Sequence, residues 1–426
     1  MSPRLRVGAA HAIITPSRPG PLAGYIARGG AVASAVLDEL EASVVVLDDG
    51  RTELAWVTID AVAVTERLTR EVERIAARVA GRAVPVVVAA SHTHSAPAHW
   101  LGEFAPGHGA ALDEEALAEL LARLEHAFDA AWRGRAPAEA SWSEPSVPGL
   151  ASRRAYRDAA VEVTAGVLTL AAGDRATAIL VDVPCHATVL GPDNLAWSAD
   201  WPGALRRELR RHHPDAVVAF LNGASGDLST RFTRTAATPG EAERLGALVA
   251  DVVLASIPWG VPVAPELTVH EAGLALPAAV RDPAAARERL AAAEERRASA
   301  DEGAAALLQS VVDGARIELA VSELPVDDPV EASARLVRLG HVTWIALPFE
   351  VFSSTAEAVA DGHGPVRLIG CAGPYQGYLP DAAAYADDTY EARTARVSPQ
   401  AEPSARAQLA FALSVLDHIH PASELS

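Results

Sequence analysis

The chain is written as short apolar runs that stop abruptly at polar loops, and that rhythm restricts its fold more than any other feature. The clearest instance is Val84 to Ala90, a valine-rich run that ends at Ser91-His92-Thr93-His94. A short apolar run bounded by polar or glycine-rich residues reads as a buried strand. Alternate residues of an extended segment project to one side. His92 and His94 are therefore expected to face a common cavity, as two ligands of one metal ion would. The plainer alternative is a pair of histidines that closes a strand and bonds to water or carbonyl groups.

Other runs repeat the pattern. Ala42–Asp48 and Leu54–Asp60 read as adjacent strands joined by a turn at Asp49-Gly50. Thr65–Val79 has helical periodicity and feeds the Val84 strand, and Asp113–Trp132 is a second long helical segment. Further strands are expected at Gly166–Leu170, Ala176–Val183, Ala216–Leu221, Val342–Leu347 and Val366–Ile369. Strands alternating with helices predict an α/β fold, a mixed β-sheet core with flanking helices whose functional loops lie at the C-terminal ends of strands. Asp282–Gly314 departs from the rhythm, being almost all Ala, Glu, Arg and Leu. It reads as a solvent-exposed helical hairpin, an insertion more than an active-site element. No internal repeat and no linker is evident, so residues 1–426 are read as a single domain.

Charge and cysteine content remove several function classes. The net charge of -19 argues against nucleic acid or an anionic membrane surface as a partner. All the positive charge is arginine. Two cysteines, Cys185 and Cys371, are too few for a disulfide framework and suit a reducing compartment. The N-terminal residues hold no apolar run long enough for a signal peptide, and no stretch approaches a membrane span. The expectation is a cytoplasmic protein without an integral membrane segment, acting on a small molecule and forming a homodimer, as enzymes of this size commonly do.

The polar loops carry the chemistry. Val181–Thr188 places His186 just past a strand, and Ser198-Ala-Asp200-Trp-Pro-Gly203 leads into a helix for which Asp200 is the expected N-cap. Phe220–Asp227 (FLNGASGD) is a third strand-to-loop transition, lacking the lysine and glycine spacing of a phosphate loop. Ser225 in it falls one residue short of a nucleophile elbow. Leu347-Pro-Phe-Glu350 delivers a carboxylate. Four of the six tyrosines, Tyr375, Tyr378, Tyr385 and Tyr390, crowd one segment and suit a pocket wall. Cys185, adjacent to His186, is expected to face the core. Two histidines, a glutamate and a tyrosine from separate strand ends form an N/O donor set suited to zinc, although they make no self-sufficient motif.

Taken in order, these segments resemble the catalytic domain of the neutral/alkaline non-lysosomal ceramidase family, in its divergent bacterial branch. The matching segments are VGAAHAIITP followed by Gly24-Tyr25, VTID ending at Asp60, SHTHSAP, PCHATVLGPDN with SADWPG, FLNGASGD, LPFE and GYLPDAAAYADDTYEA, and they span nearly the whole chain. The resemblance implies one Zn2+ per chain held by His92, His186, Glu350 and Tyr378. It places His94 beside the metal, Tyr390 at the reacting centre, and Arg153 or Arg154 on the substrate carbonyl. The activity it implies is zinc-dependent hydrolysis of an N-acyl amide, either a lipid or a smaller soluble compound. An esterase or lactonase, or a non-catalytic binding protein on the same scaffold, are the alternatives. Two residues depart from the family pattern: Ala96 and Phe349 stand where it has glycine, and both are expected to add bulk to the pocket. No counterpart of the family's C-terminal immunoglobulin-like domain is expected.

Overall fold

The computed structural model describes residues 4–105, 108–156 and 160–419. Three sheets of the same design make up its centre. In the first, Arg6–Ile13, Glu41–Asp48, Glu53–Ile59 and Val86–Ala90 lie side by side in that order. The second runs Glu139–Ser143, Gly166–Ala172, Arg175–Val183, Val217–Asn222, and the third Leu267–Leu276, Val330–Leu339, Val342–Ala346, Val366–Ile369. In every sheet the first three strands are antiparallel and the fourth is parallel to the third.

A parallel pair needs a crossover, and each sheet supplies it with a helix: Glu66–Ala80, Asp200–His212 and Ser353–Ala360. A second helix follows each fourth strand: Glu114–Arg133, Pro239–Ser256 and Ala401–Ile419. The second and third strands always form a tight hairpin. Its turn carries a glycine at positive φ each time, Gly50 (85°), Gly173 (61°) and Gly340 (54°), a conformation that costs glycine little.

The chain thus contains an internal repeat that its sequence does not display, which corrects the expectation of none. What separates the first strand from the second hides it. That interval is loop with one 3-10 turn and a two-residue strand (Ala35–Val36) in the first unit, a strand pair (Ser146–Arg153, Ala160–Thr164) in the second and a helix pair in the third.

The inner faces of the sheets pack on one another. Trp56 from the first sheet, Trp142 from the second and Trp344 from the third meet there, with Trp344 centred 6.2 Å from Trp56 and 5.3 Å from Trp142. Each outer face is sealed by its own helices, as where Leu68 and Val72 join Leu120 and Phe128 over the first sheet. Burial on both faces explains why Val44, Val45, Val46 and Leu47 are apolar without alternation. Leu267–Leu276 and Val330–Leu339 are exposed in part, at Glu271 and Glu331 among others, and so lack the continuous apolar run by which the other strands are recognised in the sequence.

The helix pair is Pro283–Ala298 and Glu302–Ser322, longer than the expected Asp282–Gly314. Its second helix is not merely a solvated face. Gly314 lies against Tyr390, where an added Cβ would fall 2.8 Å from Cδ2 of that ring. Among the described residues, no helix is long and apolar enough to cross a membrane.

Candidate metal centre

The C-terminal ends of the parallel strands from all three units meet at one end of the molecule. Backbone bonds tie them together: Ala90 N–H donates to Cys371 O at 3.0 Å, and Gly370 N–H to Asn222 O at 2.9 Å. Each unit sends a donor to the meeting point, His92 with His94 from the first, His186 from the second and Glu350 from the third.

His92 does not arrive by strand alternation. Its strand ends at Ala90, and His92 itself has φ 64°, a left-handed backbone that a non-glycine residue adopts at a cost of about 1–3 kcal/mol. The turn, not the extended geometry expected, brings the two rings to a centroid distance of 4.9 Å. His92 Nδ1 lies 2.6 Å from Val62 O, and His186 Nδ1 lies 2.8 Å from Ser225 O and 3.0 Å from Leu228 O. Carbonyl oxygens only accept, so both Nδ1 atoms carry the proton, and in the neutral rings both Nε2 atoms present a lone pair. Burial lowers the His92 pKa, but Cys371 and Glu350 outweigh it and hold it well above its usual value, so without a cation the His92 Nε2 takes a proton toward Glu350.

Those lone pairs converge on a carboxylate. Glu350 Oε2 is 2.9 Å from His186 Nε2 and 3.3 Å from His92 Nε2. His94 Nε2 is 3.4 Å from His92 Nε2. Acceptors facing acceptors in a buried site repel unless a cation or proton lies among them. Zinc bonded tetrahedrally at about 2.0–2.1 Å sets its ligand atoms about 3.3 Å apart, close to these separations. Nδ1 of His94 is buried with no hydrogen-bond partner among the described residues. The donor set therefore fits a metal ion, and the ligand nitrogens of His92, His94 and His186 all lie within 4.8 Å of one another.

The residues around the cluster differ in what they reach. Arg154 donates from Nη1 to His186 Nε2 at 2.8 Å and pairs through Nε with Glu391 at 2.8 Å. A metal ion on His186 Nε2 would take over the lone pair that this guanidinium now uses. Arg153 turns the other way, 4.0 Å from Asp227 and 39% exposed. Tyr378 pairs with Glu350 through the backbone, and its ring lies 5.6 Å from the Arg154 guanidinium and 6.0 Å from the Tyr390 ring. Among the described residues, no hydrogen bond joins its hydroxyl to the histidines or Glu350. Tyr375, which the sequence reading left in the general tyrosine cluster, donates its hydroxyl to Glu350 Oε1. Tyr385 instead bonds Val397 O.

Electrostatics follow burial. Burial, then the neighbouring His92 and His186, hold the His94 pKa well below its usual value. Burial pushes the Glu350 carboxyl up, but His92 and His186 outweigh it and leave the pKa well below the ordinary range. Cys185 is core, with burial raising its thiol pKa.

Several expectations about the loops are corrected. Asp200 is not an N-cap but the first helical residue, at φ 58°. Its carboxylate accepts from the N–H groups of Val189, Leu190 and Trp201, at 3.2, 2.9 and 2.8 Å, which pins the loop after His186, and burial lifts its pKa to about 6. Ala96 and Phe349 point into the cores of their units and do not narrow the cavity. Gly226 lets its loop approach the Glu350 backbone, where a Cβ would meet Glu350 O at 2.6 Å.

Behind His94 stands Gly24, at φ 92°, whose added Cβ would lie 2.5 Å from His94 Cγ. The Tyr25 ring lies 4.9 Å from the His94 ring, tilted by 58°, and Arg28 donates to Ala23 O at 2.7 Å and to the His94 carbonyl. Gly24→Ala is expected to displace the His94 imidazole and lower turnover by roughly 100-fold, the cost of a misplacement near 1 Å. Metal content, read by elemental mass spectrometry, should fall with it if His94 is a ligand and stay at the wild-type value if it is not.

A cavity of about 730 Å³ lies on the far side of Tyr375, whose hydroxyl bonds Glu350; the histidines and Glu350 do not themselves line it. Tyr375, Tyr378 and Tyr390 form one side, and Phe104, Ile317 and Val321 give it apolar walls. The last two come from the second hairpin helix, past Gly314, so the part of that helix beyond the expected insertion borders the site. Only its spacing of Ile317, Val321 and Leu324 signals this, and the same spacing serves ordinary core packing.

No family model matches the sequence, and no curated protein matches it either. Solved structures do match. The neutral ceramidase from Pseudomonas aeruginosa aligns with a TM-score of 0.78 at 15% identity, over 99% of this chain and 76% of that one. A ceramidase complexed with C2 aligns with a TM-score of 0.76 at 16% identity, over 100% of this chain and 77% of that one. The chain has a ceramidase-like fold, as the motifs led one to expect.

Proposed function

We propose that the protein is a zinc-dependent hydrolase of N-acyl amides. The observation that carries this reading is the convergence of His92, His186 and Glu350, one from each unit, with both histidine Nε2 atoms facing one carboxylate oxygen. The ceramidase-like fold and the nearby cavity support it. His92, His186 and Glu350 would hold the ion, with Tyr378 or His94 as the fourth ligand. Zinc in such a site supplies Lewis acidity, making hydroxide available near neutral pH and polarising a carbonyl.

The protein's own groups do the rest. Where Tyr378 is the fourth ligand, His94, kept neutral by burial and its histidine neighbours, offers a hydrogen bond to the oxygen that gains charge as the acyl carbon becomes tetrahedral. A neutral imidazole suits that task better than proton delivery. Arg154 brings a fixed positive charge to the same side, near Tyr378 and Tyr390. Glu391 steers it, and its donation to His186 shows how close it comes to the donor atoms. The apolar wall of Phe104, Ile317 and Val321 would receive the acyl portion. A cavity of about 730 Å³ suits a soluble N-acyl compound of ordinary small-molecule size.

Paired amide and ester substrates with one acyl group test the reading. Amide hydrolysis should vanish on chelation and return with zinc. Ester turnover without amide turnover would assign the site to an esterase, and turnover indifferent to chelation would remove the metal from the reaction.

A further inference from the structure

The loop Gly373–Gly377 has a shape that its distance from the strands does not explain. Gly373 and Gly377 both take left-handed backbone, φ 92° and 86°, and between them Tyr375 turns inward. The loop is strapped from two sides. Tyr375 N–H donates to Val64 O at 2.9 Å in the first unit, and Gln376 N–H donates to Pro348 O at 2.7 Å beside Glu350. The Tyr375 ring packs edge-on against Phe104 at 5.7 Å. Its orientation is thus fixed by backbone and ring contacts before its hydroxyl is considered.

That hydroxyl meets Glu350 Oε1, the oxygen that the histidines do not share. The other oxygen, Oε2, faces both His92 and His186. A carboxylate with one oxygen tied to a hydroxyl and the other left to the nitrogens is held in one rotation and one mode of donation. Tyr375 also lines the cavity that Phe104 and Val321 wall, so the residue that orients the carboxylate touches the space a substrate would fill.

We propose that Tyr375 is a positioning residue that locks Glu350 into single-oxygen donation toward the metal and couples that carboxylate to the occupied cavity. This rests on the reading of the cluster as a zinc site. A partner that orients a metal ligand typically contributes about 10–100-fold to metal affinity or activity. Removing the hydroxyl alone keeps the ring on Phe104 and removes no ligand.

The test is Tyr375→Phe against wild type, both stripped of metal and titrated with zinc in competition with a chromophoric chelator. The zinc-free melting temperature of each protein reports whether the fold survives. The expected result is an unchanged zinc-free melting temperature, zinc affinity about 10–100-fold weaker, and kcat reduced with KM for the N-acyl amide altered by less. Zinc affinity equal to wild type would overturn the proposal. So would a weaker affinity matched by an equal fall in zinc-free stability, which would make the hydroxyl a folding contact only. Wild-type protein that binds no zinc would instead overturn the reading beneath it, and the titration separates the two failures.

Discussion

His186→Ala protein is expected to leave purification without zinc and with amide turnover lowered by more than ~1,000-fold, beyond what loss of one oxyanion donor costs. His186 is the donor that the fold holds most firmly. Its Nδ1–H has two carbonyl acceptors, Ser225 O and Leu228 O, so the tautomer with a free Nε2 is doubly enforced. Nε2 then stands 2.9 Å from Glu350 Oε2. Without the imidazole, Arg154 and Glu350 are left facing one another across the gap. An ion pair there would neutralise the carboxylate that the metal needs. Elemental mass spectrometry of the purified variant decides the matter, and wild-type zinc content would sink the assignment. His94→Ala, run alongside, separates the two possible ligand sets. Retained zinc points to Tyr378 as the fourth ligand, and lost zinc to the three histidines with Glu350.

The sequence made the histidines and Glu350 visible because each follows an apolar strand, and a polar residue just past such a run is conspicuous. It also pointed to a mixed sheet with flanking helices. What stayed hidden depends on contacts between units. Nothing in PYQGY tells Tyr375 from Tyr378, since the difference is made by Gly373, Gly377 and the distant Val64 carbonyl. Adjacent Arg153 and Arg154 are equivalent as letters. They part because Glu391, far along the chain, captures the second. The threefold repetition was masked because the strands align only when the unequal intervals between first and second strands are set aside. The helix pair looked solvated because the charges of its first helix, Pro283–Ala298, dominate the segment, while the face that counts lies on the second, at Gly314, Ile317 and Val321.

Asp60→Ala is expected to destabilise the protein by about 3–5 kcal/mol, the cost of stranding a buried charge. Asp60 is fully buried and Arg206 is 4% exposed. The guanidinium grips the carboxylate with both terminal nitrogens, Nη1 to Oδ1 at 2.9 Å, and Glu41 N–H donates to Oδ2 at 2.8 Å. Glu41 in turn accepts from Arg210 at 2.7 Å. This network joins the first sheet to the crossover helix of the second unit, between two elements that deliver metal-site donors. Arg206 loses its bidentate partner in the variant and keeps only the more distant Glu41, 3.8 Å away. Denaturant unfolding of zinc-free protein measures the loss without interference from metal binding. The double variant Asp60→Leu/Arg206→Met should recover much of it, because a buried pair replaced by apolar residues is often neutral in stability. A change below about 1 kcal/mol in Asp60→Ala would mean that water or Glu41 suffices for Arg206. Asp60 also precedes Ala61 and Val62, whose carbonyls receive the His92 N–H and Nδ1–H. The ion pair therefore holds the turn that sets the His92 tautomer, and the folded fraction of Asp60→Ala should bind zinc more weakly than wild type.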